Sequence, residues 1–249
     1  MWLLYSSLKT DVEFARSPIS LPAVPNFSNY VTAFQRASFG TCTFNSVFNS
    51  IISLVLVLVI SFTLGYLLSR YRFRGRNLIY GVLMAAMMVP IYALIVPLFI
   101  QEKKIGILNS RWSLIPVYVA MELPMSVFLI DSYMQGISID MEEAAAIDGA
   151  GLLKTMFIIM MPLCKPILST VVILTFMHVW NEFAFAQVLI SQESLKTIPI
   201  GLTYFTSQYM TSYTLLLAAL AMATLPVLVI YLFFYNKIME GMMAGAVKG

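Results

Sequence analysis

The chain has 249 residues, 60% of them hydrophobic and 11% charged, where a soluble domain carries about 25% charged residues. That deficit excludes an ordinary water-soluble globule, because apolar atoms already make up much of any exterior and the excess needs lipid as its solvent. A formal net charge of +3 is too small to mark a nucleic-acid binder, and Cys42 and Cys164 have no neighbouring cysteine or histidine to build a zinc ribbon or disulfide framework.

Crossing a bilayer takes about 20 apolar residues in a helix, so charge-poor windows locate the elements. Residues 1–8 are apolar but too short to cross, and lack the basic start and cleavage site of a signal peptide. They read either as the remnant of a first transmembrane helix or as a short interfacial stub. Residues 9–43 form an extracytoplasmic loop in which Pro18, Pro22 and Pro25 break any long helix, leaving an ordered loop or short interfacial pieces. Five spans are then expected at about 44–69, 77–100, 112–134, 166–190 and 212–235. Glu122 and Asp131 fall in the third and Glu182 in the fourth. Asp131 is close enough to the inner boundary to reach polar headgroups. Trp112, Tyr133, Tyr213 and Tyr235 suit the interfacial belt.

Orientation follows from short loops. Residues 70–76 carry four arginines, which marks them as cytoplasmic. Alternation places the loop 135–165 and the tail 236–249 on the same side. Lysine and arginine number eight inside and seven outside, so the orientation rests on the arginine loop and not on the sum.

The loop 135–165 is unlike an ordinary connector. Asp140, with Glu143 three residues later, reads as a helix start in which the acid caps free backbone donors. Ala144, Ala145 and Ala146 favour the helix, and Asp148-Gly149 ends it, since glycine accepts a left-handed turn at low cost. A second short helix is expected over 152–160, with Pro162 and Pro166 punctuating the entry to the next span. The product is a helix-turn-helix whose small side chains let another protein approach the backbone.

Glu143-Ala144-Ala145, Asp148-Gly149-Ala150 and Pro162, thirteen residues after Gly149, resemble the EAA loop of ABC-importer permeases. The departures are Gly151, where serine is common, and Phe157, one place beyond the usual aromatic at Met156. Trp180-Asn181-Glu182-Phe183, Leu123-Pro124 and the tail 241–249 resemble carbohydrate-uptake permeases, the tail most of all the second permease of the maltose transporter. The resemblance runs over nearly the whole chain from Trp2. It implies an all-α polytopic transmembrane helix bundle, the type I ABC-importer permease fold, with six spans and both ends cytoplasmic. The first span would then be truncated here, and residues 1–8 its outer end.

The same resemblance implies the partners: a second permease subunit, a dimer of ATPase subunits, an extracytoplasmic solute-binding protein and a carbohydrate substrate, in a bacterial-type cell membrane. ATP and magnesium would be held by the ATPase. This chain shows no Gly-x-x-x-x-Gly-Lys loop and is expected to carry no cofactor, catalytic or metal site of its own. The coupling set is Glu142, Glu143, Ala144, Ala145, Asp148, Gly149, Ala150 and Pro162. Glu143 would pair with a basic residue across the interface and Gly149 would permit close approach; the alternative is that Glu143 only caps its own helix.

For the solute path the candidates are Trp180, Asn181, Glu182, His178 and Glu122. An ionised side chain costs about 2.5–3.5 kcal/mol in lipid on insertion scales, so such groups usually face a cavity. Asn181 and Glu182 could meet sugar hydroxyls and Trp180 a ring face, with His178 one helical turn before Glu182. The alternative is that they bond neighbouring helices as structural glue. Rival readings are an ABC permease for a non-sugar solute, an ATP-independent carrier and a membrane-embedded enzyme. The last lacks paired catalytic groups.

Overall fold

The computed structural model describes the backbone of residues 1–206 and 212–246 and the side chains of 1–206 and 212–232. Residues 207–211 of the last outer loop, the side chain of Tyr235 and the side chains of the tail 236–249 lie outside these, so the tail resemblance is not described further. Among the described residues the elements are helices: α1 (Trp2–Ser6), α2 (Asp11–Arg16), α3 (Ser28–Arg36), α4 (Phe39–Arg70), α5 (Arg76–Ala86), α6 (Ile95–Ile105), α7 (Leu114–Met134), α8 (Asp140–Ile147), α9 (Leu152–Lys154), α10 (Met161–Leu163), α11 (Lys165–Asn181), α12 (Ala184–Leu189), α13 (Ile198–Leu202) and α14 (Tyr213–Ala246). By length and composition α4, α7 and the part of α14 at Tyr213–Leu232 can each cross a membrane, and two broken pairs raise the number to five.

Two of the expected windows are interrupted, the first at one of these broken pairs and the other at a separate point after Asn181. The window at 77–100 is not one helix. It stops at Ala86 and resumes at Ile91, because Pro90 has no N–H to donate and disfavours helix at Val89 before it. The window at 166–190 is likewise interrupted after Asn181. There the Glu182 carboxylate accepts the N–H groups of Phe185 at 2.8 Å and Ala186 at 3.1 Å and starts α12 afresh. Pro124 and Pro226, by contrast, sit inside α7 and α14 without ending them, as happens where neighbouring groups satisfy the freed carbonyls.

The chain divides into two compact units. One comprises 1–49, 95–114 and 180–230. Here the segment expected as a loop, 9–43, is ordered around polar anchors. Lys9 is fully buried, and its Nζ donates to the Ser17 and Pro18 carbonyls at 2.8 and 3.2 Å. Asn29 Nδ2 donates to the Ser7 and Lys9 carbonyls, both at 2.7 Å. Asp11 accepts from the Thr214 hydroxyl at 2.7 Å. Asn45, near the start of α4, donates to the Ser194 and Lys196 carbonyls at 2.9 and 3.0 Å, and Asn109, in the left-handed region at φ +57°, accepts from the N–H groups of Ser191 and Gln192. Apart from the Asp11–Thr214 hydroxyl bond, each satisfies backbone that irregular structure would otherwise leave unpaired.

The other unit comprises 50–94, 115–179 and 231–249. α4 and α7 approach closely in it: a Cβ placed on Gly65 would lie 2.7 Å from Ile130 Cγ2. Phe62 packs on Phe157, with ring centroids 6.0 Å apart. Asp131, expected near the inner boundary, is buried within the unit. It is 2% exposed, and its Oδ2 accepts from Gln135 Nε2 at 2.9 Å.

Candidate functional site

The helix-turn-helix over 140–163 is built from local chemistry. Asp140 is the first helical residue and does not cap; the N-cap position is Ile139, which has no side-chain cap, and Ser138 Oγ accepts the Asp140 N–H at 3.3 Å just before it. Asp140, Glu142 and Glu143 occupy the first turn, where negative charge favours the helix dipole. The end of α8 follows the expected pattern. Gly149 takes φ +75°, the Ala150 N–H bonds the Ala145 carbonyl at 2.9 Å, and the Gly149 N–H bonds that of Ala146 at 3.0 Å. This is a Schellman closure, which satisfies the last carbonyls by turning the chain sharply. Beyond it α9, a π-helical turn at Thr155–Met160 and α10 run on to a bend of 80° before α11. Pro162 lies in α10, exposed.

The coupling set divides into two kinds of residue. Glu142 faces its own chain: Oε1 accepts from Arg70 Nε at 2.5 Å and Oε2 from the Tyr66 hydroxyl at 2.8 Å. Arg70 also donates to the Ile137 carbonyl at 2.8 Å. The side chains of Arg70 and Glu142 are only 9% and 12% exposed, so the pair is shielded from water. Ala145 is buried beside it. Glu143, Ala144, Asp148 and Gly149 are exposed, and Ala150 is half-buried. Among the described residues nothing lies within 4 Å of a Cβ placed on Gly149. Around this elbow Ile147 is 86% exposed, Leu153 67% and Ile158 65%. Sequence reasoning used Arg70 as a topology marker and missed Tyr66 and Arg70 as the elbow's anchor. Contacts made across 72 residues leave no spacing signal.

Among the solute-path candidates, Glu122 and His178 meet. His178 Nδ1 lies 3.2 and 3.3 Å from the two carboxylate oxygens of Glu122. The Glu122 side chain is 10% exposed and that of His178 65%, so the carboxylate holds the ring from behind while the ring's other edge is open. The expected one-turn relation of His178 to Glu182 does not hold, since α11 ends at Asn181. In the other unit Glu182 is committed to the N–H groups of α12, and Trp180 is buried at 3% exposure with its indole N–H donating to the Ala223 carbonyl at 3.2 Å. Asn181 is exposed.

The described residues thus combine apolar helices long enough to cross a membrane with a polar-anchored elbow whose apolar tip is exposed. Residues 58–238 match the family model described as binding-protein-dependent transport system inner membrane component. A putative ABC transporter permease protein of Caldicellulosiruptor is 37% identical over 250 residues, covering 100% of this chain and 90% of that one. The diacetylchitobiose uptake system permease protein of Streptomyces coelicolor is 35% identical, covering 100% and 83%. A crystal structure of a bacterial ABC transporter involved in the import of the polysaccharide alginate contains a chain that superposes with a TM-score of 0.83 at 24% identity, over 95% of this chain and 89% of that one. The chain belongs to the family of binding-protein-dependent transport system inner membrane components, with the type I ABC-importer permease fold. It is a transport subunit and not an enzyme, and the family implies a binding protein and an ATPase as partners.

Proposed function

We propose that this chain is one of two membrane-spanning subunits of an importer that takes up a carbohydrate delivered by an extracytoplasmic binding protein. A separate ATPase dimer, holding ATP and magnesium, docks on the elbow at 140–163, in a multi-pass chain of a bacterial-type cell membrane. The observation that carries the docking role is the exposed elbow itself. A turn fixed by two backbone bonds presents Gly149 with open space around it and Ile147 almost fully bare. An apolar tip that leaves the chain unpartnered is a contact surface, and a rigid one transmits force. Glu143 and Asp148, exposed at the same tip, are the residues for charged partners, and Glu142 holds the elbow to α4. The carbohydrate reading rests on the Trp-Asn-Glu-Phe segment and on the diacetylchitobiose permease among the relatives.

For the solute path the geometry favours His178, backed by Glu122, over Trp180 and Glu182, whose polar groups are already engaged within the chain. An aldose or oligosaccharide hydroxyl would meet the open edge of the His178 ring.

The test is uptake of labelled oligosaccharides by cells in which this chain is deleted and then restored. Loss and recovery of uptake of one carbohydrate class, with ATP required in membrane vesicles, supports the reading. Unchanged carbohydrate uptake in the deletion strain, or recovery of an amino acid or ion flux instead, overturns it.

A further inference from the structure

The arginine loop between α4 and α5 ends two apolar helices, so it stands at a membrane–water boundary whichever way the chain is oriented. Arg72 and Arg74 are exposed, and neither they nor Arg76 forms an ion pair with a described residue. Arg76 donates Nε to the Leu68 carbonyl at 2.7 Å. Helix α5 begins at this point with Gly75 at φ +94° and no side chain capping its free N–H groups. An open cavity of about 780 Å³ is lined by residues 72–78. Guanidinium groups beside an uncapped helix start suit a phosphate oxyanion.

A second cavity of about 340 Å³ shares Arg76 and Asn77 as walls and is completed by Tyr80, Gly81, Asp131 and Gln135. Asp131 is 2% exposed; one carboxylate oxygen is bonded by Gln135 and the other, Oδ1, has no hydrogen-bond partner among the described residues. A buried carboxylate with an unpaired oxygen is costly and calls for a donor.

We propose that the two cavities together hold a phospholipid headgroup. Its phosphodiester sits on Arg72, Arg74 and the start of α5, and its own hydrogen-bond donor, an ammonium or a hydroxyl, turns to Asp131. Free inorganic phosphate fits the first cavity but leaves Asp131 Oδ1 without a donor. A lipid also brings acyl chains to the apolar flank of α5, where Leu78 is 72% exposed and Val82 60%. Phosphatidylcholine is the discriminating lipid: it has the same phosphate and no N–H or O–H to offer.

The full chain is purified from its native membrane in mild detergent with the subunits that accompany it. Retained lipids are counted by native mass spectrometry after exchange into phosphatidylethanolamine, phosphatidylglycerol or phosphatidylcholine, with inorganic phosphate as competitor. The expected result is retention of the ethanolamine or glycerol lipid well above phosphatidylcholine and resistant to millimolar phosphate. At about 1 kcal/mol per basic residue near a lipid surface, Arg72→Gln with Arg74→Gln weakens retention about thirtyfold. Asp131→Asn keeps lipid binding but narrows the preference over phosphatidylcholine. Equal retention of all three lipids by the native chain, displacement by phosphate, unchanged retention in the double arginine variant, or crosslinks placing an accompanying subunit on Arg72 or Arg74 would each overturn the proposal. Lipid counts do not depend on solute uptake, so this result and that of the uptake test are independent.

Discussion

Arg70 at the end of α4 and Glu142 in the first turn of α8 are 72 residues apart in sequence and 2.5 Å apart in the fold. The tyrosine one turn earlier, Tyr66, bonds the other oxygen of the same carboxylate. A force applied to the elbow is therefore delivered to a crossing helix through a short, shielded and doubly bonded joint, not through a flexible linker.

Glu142→Ala leaves the Arg70 charge and the Tyr66 hydroxyl without their carboxylate in a shielded site, with Arg70 keeping only its bond to the Ile137 carbonyl. Removing one member of a buried pair costs about 3–5 kcal/mol, so the variant is expected to unfold well below the native chain in detergent thermal scans. Arg70→Met with Glu142→Leu removes both charges and should recover much of that loss while uptake stays impaired. Full recovery of uptake in the double variant would show that the joint is structural only.

Two substitutions at Gly149 separate the fold from the docking role. Its φ of +75° lies where residues with a Cβ are disfavoured, at about 1–2 kcal/mol. Asparagine tolerates that region, and no neighbouring atom obstructs a side chain there. Gly149→Asn should therefore fold normally yet lose ATPase binding in pull-downs, because its side chain stands on the contact surface. Gly149→Pro should abolish uptake. Normal transport by Gly149→Pro would rule out a coupling role for the turn.

The approach of α4 to α7 at Gly65 leaves no room for a methyl group. Gly65→Val is expected to destabilise the chain by about 1–3 kcal/mol, the usual cost of overpacking. Ile130→Ala in the same chain should relieve most of it. The check is the midpoint of thermal unfolding of the two single variants and the pair.

His178→Ala and Glu122→Gln distinguish a contacting residue from a positioning one. If His178 meets the solute, His178→Ala should raise the uptake KM with little change in subunit assembly, and Glu122→Gln should give a smaller shift of the same kind. Glu182→Gln keeps one oxygen for the α12 N–H groups and should leave the KM unchanged while modestly lowering stability. A raised KM in Glu182→Gln with normal assembly would return the solute contact to that residue.

Parts of the site were legible because they are local. The stop at Asp148-Gly149 needs only one residue free to enter the left-handed region and two backbone bonds within a turn, so the dipeptide announces it. The interruption of the second expected span was marked by Pro90, but a continuous apolar window hid it, since hydropathy records solubility in lipid and not helix continuity. Glu182 makes a contact that no spacing announced: its carboxylate accepts the N–H groups of Phe185 and Ala186 at the start of α12.

Composition by itself determined the solvent of this protein, because transfer of each side chain into lipid is decided residue by residue, and the apolar windows set where spans are expected. Near-neighbour backbone chemistry determined the elbow. Only the tertiary structure decided which charges face one another: Glu142 with Arg70, Glu122 with His178, and Lys9 with the carbonyls of its own loop. Such pairing depends on which helix faces pack together, and a buried charge takes whatever partner that packing brings within hydrogen-bond reach.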